Sequence, residues 1–132
     1  MESNKNKKQQ LYSKIAQSAD LLMKPFIHSI VDKNIKEDNS IFECEELLFN
    51  IECRTKEGKR LNEYDLEIEI FRSGKDINLM LSFIYYPDKP ILWMGKHSVW
   101  MNSKTGVKCG PPNDGFKIEG LARKLLTFFD DN

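Results

Sequence analysis

At 132 residues with 40% apolar side chains, the chain has the length of one domain and enough material to bury a core without a disulfide or metal staple. Lys plus Arg total 20 and Asp plus Glu total 20, so no net field draws the molecule to nucleic acid or to anionic lipid. Cys44, Cys53 and Cys109 are odd in number and lack CxxC spacing, which suits reduced thiols in a cytoplasm better than a disulfide framework. The N-terminus has no apolar leader, and no apolar run is long enough to cross a membrane, so the expected location is cytoplasmic.

Residues 1–9 are rich in Lys, Asn and Gln and read as a disordered, solvated tail, leaving 10–132 as a single α+β domain. Leu11, Ile15, Ala19, Leu22, Phe26 and Ile30 recur at three- and four-residue steps and align on one helix face. Pro25 removes a backbone donor and clashes with the preceding turn, so a kink or break is expected between Met23 and Phe26. Asp32 to Ser40 reads as a loop, and Ser40 with Glu43 forms a capping box for one helical turn.

From Leu47 the period becomes two. Leu47, Phe49, Ile51 and Cys53 form one side of a first strand, and Tyr64, Leu66, Ile68 and Ile70 one side of a second, opposite Asp65, Glu67 and Glu69. A turn at Gly58-Lys59 pairs Cys53 with Tyr64, Ile51 with Leu66, Phe49 with Ile68 and Leu47 with Ile70. A turn at Ser73-Gly74 pairs Ile70 with Ile77, Ile68 with Leu79, Leu66 with Leu81 and Tyr64 with Phe83; a one-residue slip would oppose these to polar partners. The third strand therefore runs from Ile77 to about Tyr86, and Pro87-Asp88-Lys89-Pro90 turns the chain into a fourth from Ile91 to Met101. Asn102 to Gly106 has the chemistry of a type I turn closed by a left-handed glycine, returning a short fifth strand at Val107 to Cys109. Asn113 or Asp114 caps a final helix striped by Ile118, Leu121, Ala122, Leu125, Phe128 and Phe129. The predicted fold is a meander of four to five antiparallel strands between an N-terminal and a C-terminal helix.

Residue types that carry chemistry are thinly spread. His97 sits in the fourth strand with no nucleophile motif and no second His or Cys at ligand spacing, and reads as a structural or surface histidine. His28, without an HExxH frame, reads as a partly exposed helix residue. Asp65, Glu67 and Glu69 come from one strand with no Gly-bearing ligand loop, so they read as a solvated face and not as a metal site. Cys109 beside Lys108 has no resolving partner, and Lys104-Thr105-Gly106 lacks the other glycines of a phosphate loop. No metal or cofactor is implied.

One feature exceeds a half-buried sheet. The third strand carries Met80, Ile84 and Tyr86 behind its main apolar face, and in the fourth Ile91, Trp93, Val99 and Met101 alternate with Leu92, Met94 and Trp100. Strands apolar on both sides are covered on both sides. One terminal helix on each face is the favoured cover, and a homodimer or partner surface its competitor. Tyr86, Met94, Lys96, His97 and Trp100 are the interface or binding candidates.

The run from Leu92 to Met101, followed by Lys104 to Pro112 and a closing apolar helix, resembles small conserved proteins of unknown function from marine cyanobacteria. The resemblance implies a bacterial cytoplasmic protein and no activity. In element order the meander and helix are also similar to single-stranded nucleic-acid-binding folds of the Whirly and transcriptional-coactivator type, in which Trp100, Tyr86, Lys96 and Lys108 would stack bases and meet phosphate. The neutral charge and acidic second strand oppose that reading. The expected function is a non-enzymatic binding or assembly module acting through the strand 77–101 surface, ahead of a single-stranded nucleic-acid binder and an enzyme centred on His97.

Overall fold

The computed structural model describes residues 4–33 and 46–130. The order is α1 (Asn4–Leu22), β1 (Ile27–Asp32), β2 (Glu46–Arg54), β3 (Leu66–Ser73), β4 (Asp76–Phe83), β5 (Ile91–Met94), β6 (Ser98–Met101) and α2 (Gly115–Asp130), with a single 3-10 turn at Asn62–Tyr64. The strands form one antiparallel sheet in sequential order β1 to β6. This is the expected α+β meander, with six strands in the sheet where four to five are expected. The stretch Ser40 to Cys44, with its capping box, lies outside the described residues, and α1 starts at Asn4, inside the segment whose composition reads as a tail.

The added strand is the first. Helical bonding ends where the Met23 amide donates to Ala19 O, the Phe26 amide turns back to Met23 O, and the chain leaves the helix through a cis Lys24-Pro25 peptide. Beyond it, Ile27-His28-Ser29-Ile30-Val31 is rich in β-branched residues and pairs with β2, so Phe26 and Ile30 are not helical. The expected fourth strand is a hairpin. Gly95, Lys96 and His97 turn it, the Gly95 amide donating to His97 O at 3.2 Å, and Leu92 faces Trp100 across β5 and β6. Val107 to Cys109 makes only a single bridge, Lys108 to Met101, along the outer edge of β6.

Between β2 and β3 the register is as expected at Leu47/Ile70, Phe49/Ile68 and Ile51/Leu66, but not at Cys53. There Arg54 pairs with Arg60, the Leu61 amide donates to Cys53 O, and the 3-10 turn takes up the residues that a tight hairpin would have paired. Between β3 and β4 the parity holds and the register differs by two: Leu66 meets Phe83, Ile68 meets Leu81 and Ile70 meets Leu79. The turn is Gly74-Lys75, closed by Ser73 and Asp76, with Gly74 at φ 62° where a side chain is strained.

A continuous buried row, Phe49, Ile68, Leu81, Leu92 and Trp100, crosses β2 to β6. Both helices cover this face. From α1 come Leu11, Ile15 and Ala19, with Met23 just beyond its end, and from α2 Ile118, Leu121, Ala122, Leu125 and Phe129, in one core cluster. Tyr12 packs its ring 5.3 Å from Phe49, and α1 lies beside α2. The expectation of one helix on each face is therefore corrected: the short α1 to β1 connection and the two narrow stripes place the helices side by side on the same side of the sheet.

Candidate functional site

The other face of the sheet carries no helix and no strand from the described residues. Its central row is Leu48, Glu69, Met80, Trp93 and Val99, all in register across β2 to β6. A neighbouring row passes from Asn50 through Glu67 to Ser82, and at the far edge Ile91 pairs with Met101 and Met101 with Lys108. The face is thus divided by charge. The β4 to β6 half presents Met80, Ile91, Trp93, Val99 and Met101, while the β3 strip presents Glu67 and Glu69 and the outermost segment presents exposed Lys108. Trp93 is 37% exposed and its ring stacks with that of Phe71 at 6.3 Å between ring centres. Glu69 is pushed above the ordinary carboxylate value, first by burial and then by Glu67 and Glu46 beside it. Among the described residues neither Glu67 nor Glu69 has an ion-pair partner, so the strip sets negative charge next to an apolar surface.

The five residues singled out from sequence fall in two places. Tyr86, Lys96 and His97 are exposed, Tyr86 in the turn before β5 and the other two in the β5–β6 turn. Met94 and Trp100 are 2% and 5% exposed and lie beneath α2, so neither is a surface contact of the monomer and Trp100 offers no ring on which a base could stack. The Trp100 indole N–H donates to Glu119 Oε2 at 3.2 Å, and Ser98 Oγ donates to Oε1 of the same carboxylate at 2.5 Å. The Ser98 bond, against the opposing effect of burial, helps hold Glu119 below the usual carboxylate value, with Trp100 and Arg123 adding to it. Alternation had separated the two sets of β5 and β6 correctly; what it lacked was the sign, because the members turned to the open face are Ile91, Trp93, Val99 and Met101.

A second group was missed because His28 was assigned to a helix. In β1 its side chain is wholly buried, its amide and Nδ1 contact Asp20 Oδ1 at 2.7 and 2.9 Å, and Nε2 has no hydrogen-bond partner among the described residues. Cys53 stands opposite it. A Cys-His-Asp arrangement invites a nucleophilic reading, but burial, then the charge of Asp65, pushes the Cys53 thiol up to about 11, so it stays protonated and shielded. Buried Asp65 accepts the Cys53 amide at 2.8 Å through Oδ1 and pairs with Arg60 through Oδ2, tying the β2–β3 connection to the end of the sheet. No three His, Cys, Asp or Glu side chains among the described residues could hold a metal ion, and none of the described helices is long and apolar enough to cross a membrane.

A family model described as a domain of unknown function, DUF8659, matches residues 12–128, from the first core turns of α1 to the last turn of α2. No curated protein and no solved structure matches the chain.

Proposed function

This chain belongs to the DUF8659 family, a domain of unknown function, and we propose that it is a non-enzymatic assembly module that self-associates through the open face of β4, β5 and β6. The observation that carries this reading is the apolar half-face Met80, Ile91, Trp93, Val99 and Met101, left uncovered by both helices. Aromatic and Met side chains grouped in this way are characteristic of interface centres.

The charge division favours a second copy as the occupant. A two-fold axis lying along β5 between two such faces sets β4 of one copy over β6 of the other, so the apolar halves meet each other. The same rotation carries β3 over the partner's 107–109 segment. Glu67 then approaches Lys108 of the second copy, since Glu67–Ser82 and Ile91–Met101–Lys108 run at one height across the sheet. Like charges are not opposed.

Sedimentation velocity over the micromolar range tests this. The expected result is a mass that rises to that of a dimer, with Trp93→Glu weakening association at least about tenfold because it buries an unpaired charge. Lys108→Glu should weaken it by a few-fold at most, as befits a rim ion pair, and Glu67→Lys in the same chain should restore it. A monomer whose mass does not change with concentration, or a dimer indifferent to Trp93→Glu, overturns the reading.

A further inference from the structure

Where the end of α1, the first turn of α2 and one end of the sheet converge, the chain forms an open cleft. Its body is apolar: Met23, Phe26, Tyr64, Phe83 and Ile118. Phe26 and Tyr64 stack at 5.3 Å between ring centres and form one aromatic wall. Three lysines, Lys24, Lys89 and Lys117, line the same cleft against one carboxylate, Asp114, with Asn113 beside it. None of the three ammonium groups has an ion-pair partner among the described residues, and Lys89 rests over the Phe83 and Tyr86 rings at 4.7 and 5.0 Å.

We propose that this cleft binds a small organic anion that has a ring-bearing apolar body and a carboxylate or phosphate head group. Three lysines and a single carboxylate line this apolar hollow, so an anionic head group bound there meets net positive charge. Lys89 and Lys117 are half-buried, so their attraction to a bound head group is screened less than that of surface lysines. Lys117 and Ile118 belong to the first turn of α2, so the positive end of that helix lies at the cleft. The Phe26–Tyr64 wall supplies a surface for a planar ring. A hydrophobic body with a few polar groups at one end is the ordinary make-up of a small-molecule site. This site shares no residue with the open sheet face.

Calorimetric titration of the full chain with naphthalene-1-carboxylate, naphthyl phosphate and naphthalene-1-carboxamide tests the assignment. Expected are one saturable site for at least one anion and affinity at least about tenfold lower for the neutral carboxamide, a difference of about 1.4 kcal/mol. Lys89→Gln combined with Lys117→Gln should weaken the anion by a similar factor while leaving the melting temperature nearly unchanged, and Trp93→Glu should leave binding intact. The tighter of the two anions identifies the head group. If the double variant does not fold, the anion-to-amide ratio on the unaltered protein still decides. Equal binding of amide and anions, no saturable site for either anion, indifference to the lysine changes, or loss in Trp93→Glu overturns the proposal. An acidic peptide without rings that binds as tightly as the aryl anions also overturns it.

Discussion

Asp65 is the single fully buried charged side chain among the described residues, and both its oxygens are occupied. Asp65→Ala would leave the Cys53 amide without an acceptor and Arg60 without its counter-charge, so it should cost about 3 kcal/mol, read as a lower midpoint in denaturant. Glu69 behaves in the opposite sense. Burial, then Glu67 and Glu46, raise its proton affinity in the folded chain, so its ionisation opposes folding above the raised value, and this penalty is released as the pH falls through it. Glu69→Gln should therefore stabilise the monomer modestly at neutral pH, and the difference from the unaltered chain should disappear in acid, below the ordinary glutamate range. A variant with the same advantage at both pH values would assign the effect to something other than charge. The row Asp65, Glu67 and Glu69 was legible as an alternating set, but not as two environments: Asp65 precedes the first residue of β3, where the 3-10 turn directs it inward.

Among the elements, α2 was the most legible, because its stripe of Ile118, Leu121, Ala122, Leu125 and Phe129 is the buried face. Its start depends on a contact no periodicity reveals. Asp114 takes a left-handed φ of 63°, and the next residue, Gly115, lies so close to the core that a Cβ there would sit 2.8 Å from Pro111 Cβ and 3.2 Å from the Trp100 ring. Gly115→Ala should thus push α2 away from Trp100 and cost about 1 to 3 kcal/mol, with weaker near-ultraviolet dichroism from the indole. A change below a few tenths of a kcal/mol would mean that Pro111 yields freely. The β3–β4 hairpin was legible in parity alone. A shift by two residues keeps every apolar side chain on its face, so alternation cannot tell Ser73-Gly74 from Gly74-Lys75; the backbone conformation that Gly74 alone adopts without strain decides.

For the molecule as a whole, the two tryptophans make the decisive contrast. Trp100 sits in the core row under α2, so Trp100→Glu should abolish cooperative folding. Trp93, on the opposite face, should accept Glu with little loss of monomer stability, its effect appearing in sedimentation instead. Thermal melts of both variants at one low concentration check this, and equal destabilisation would mean that the two faces are equally enclosed.

Sequence by itself determined the α+β class, the alternating faces of β2 to β6, and the fact that β5 and β6 are apolar on both sides, because each follows from local spacing and backbone chemistry. Tertiary structure alone decided which side of the sheet is core. A stripe on a helix and an alternation on a strand each state that a face is buried, and neither carries a sign. The packing of α1 beside α2 on one side of the sheet covers Met94 and Trp100 and leaves Ile91, Trp93, Val99 and Met101 on the open face. The cleft at the end of the sheet was beyond local reading for the same reason: Phe26, Tyr64, Lys89 and Lys117 are far apart in the chain, and only the closed fold brings them together.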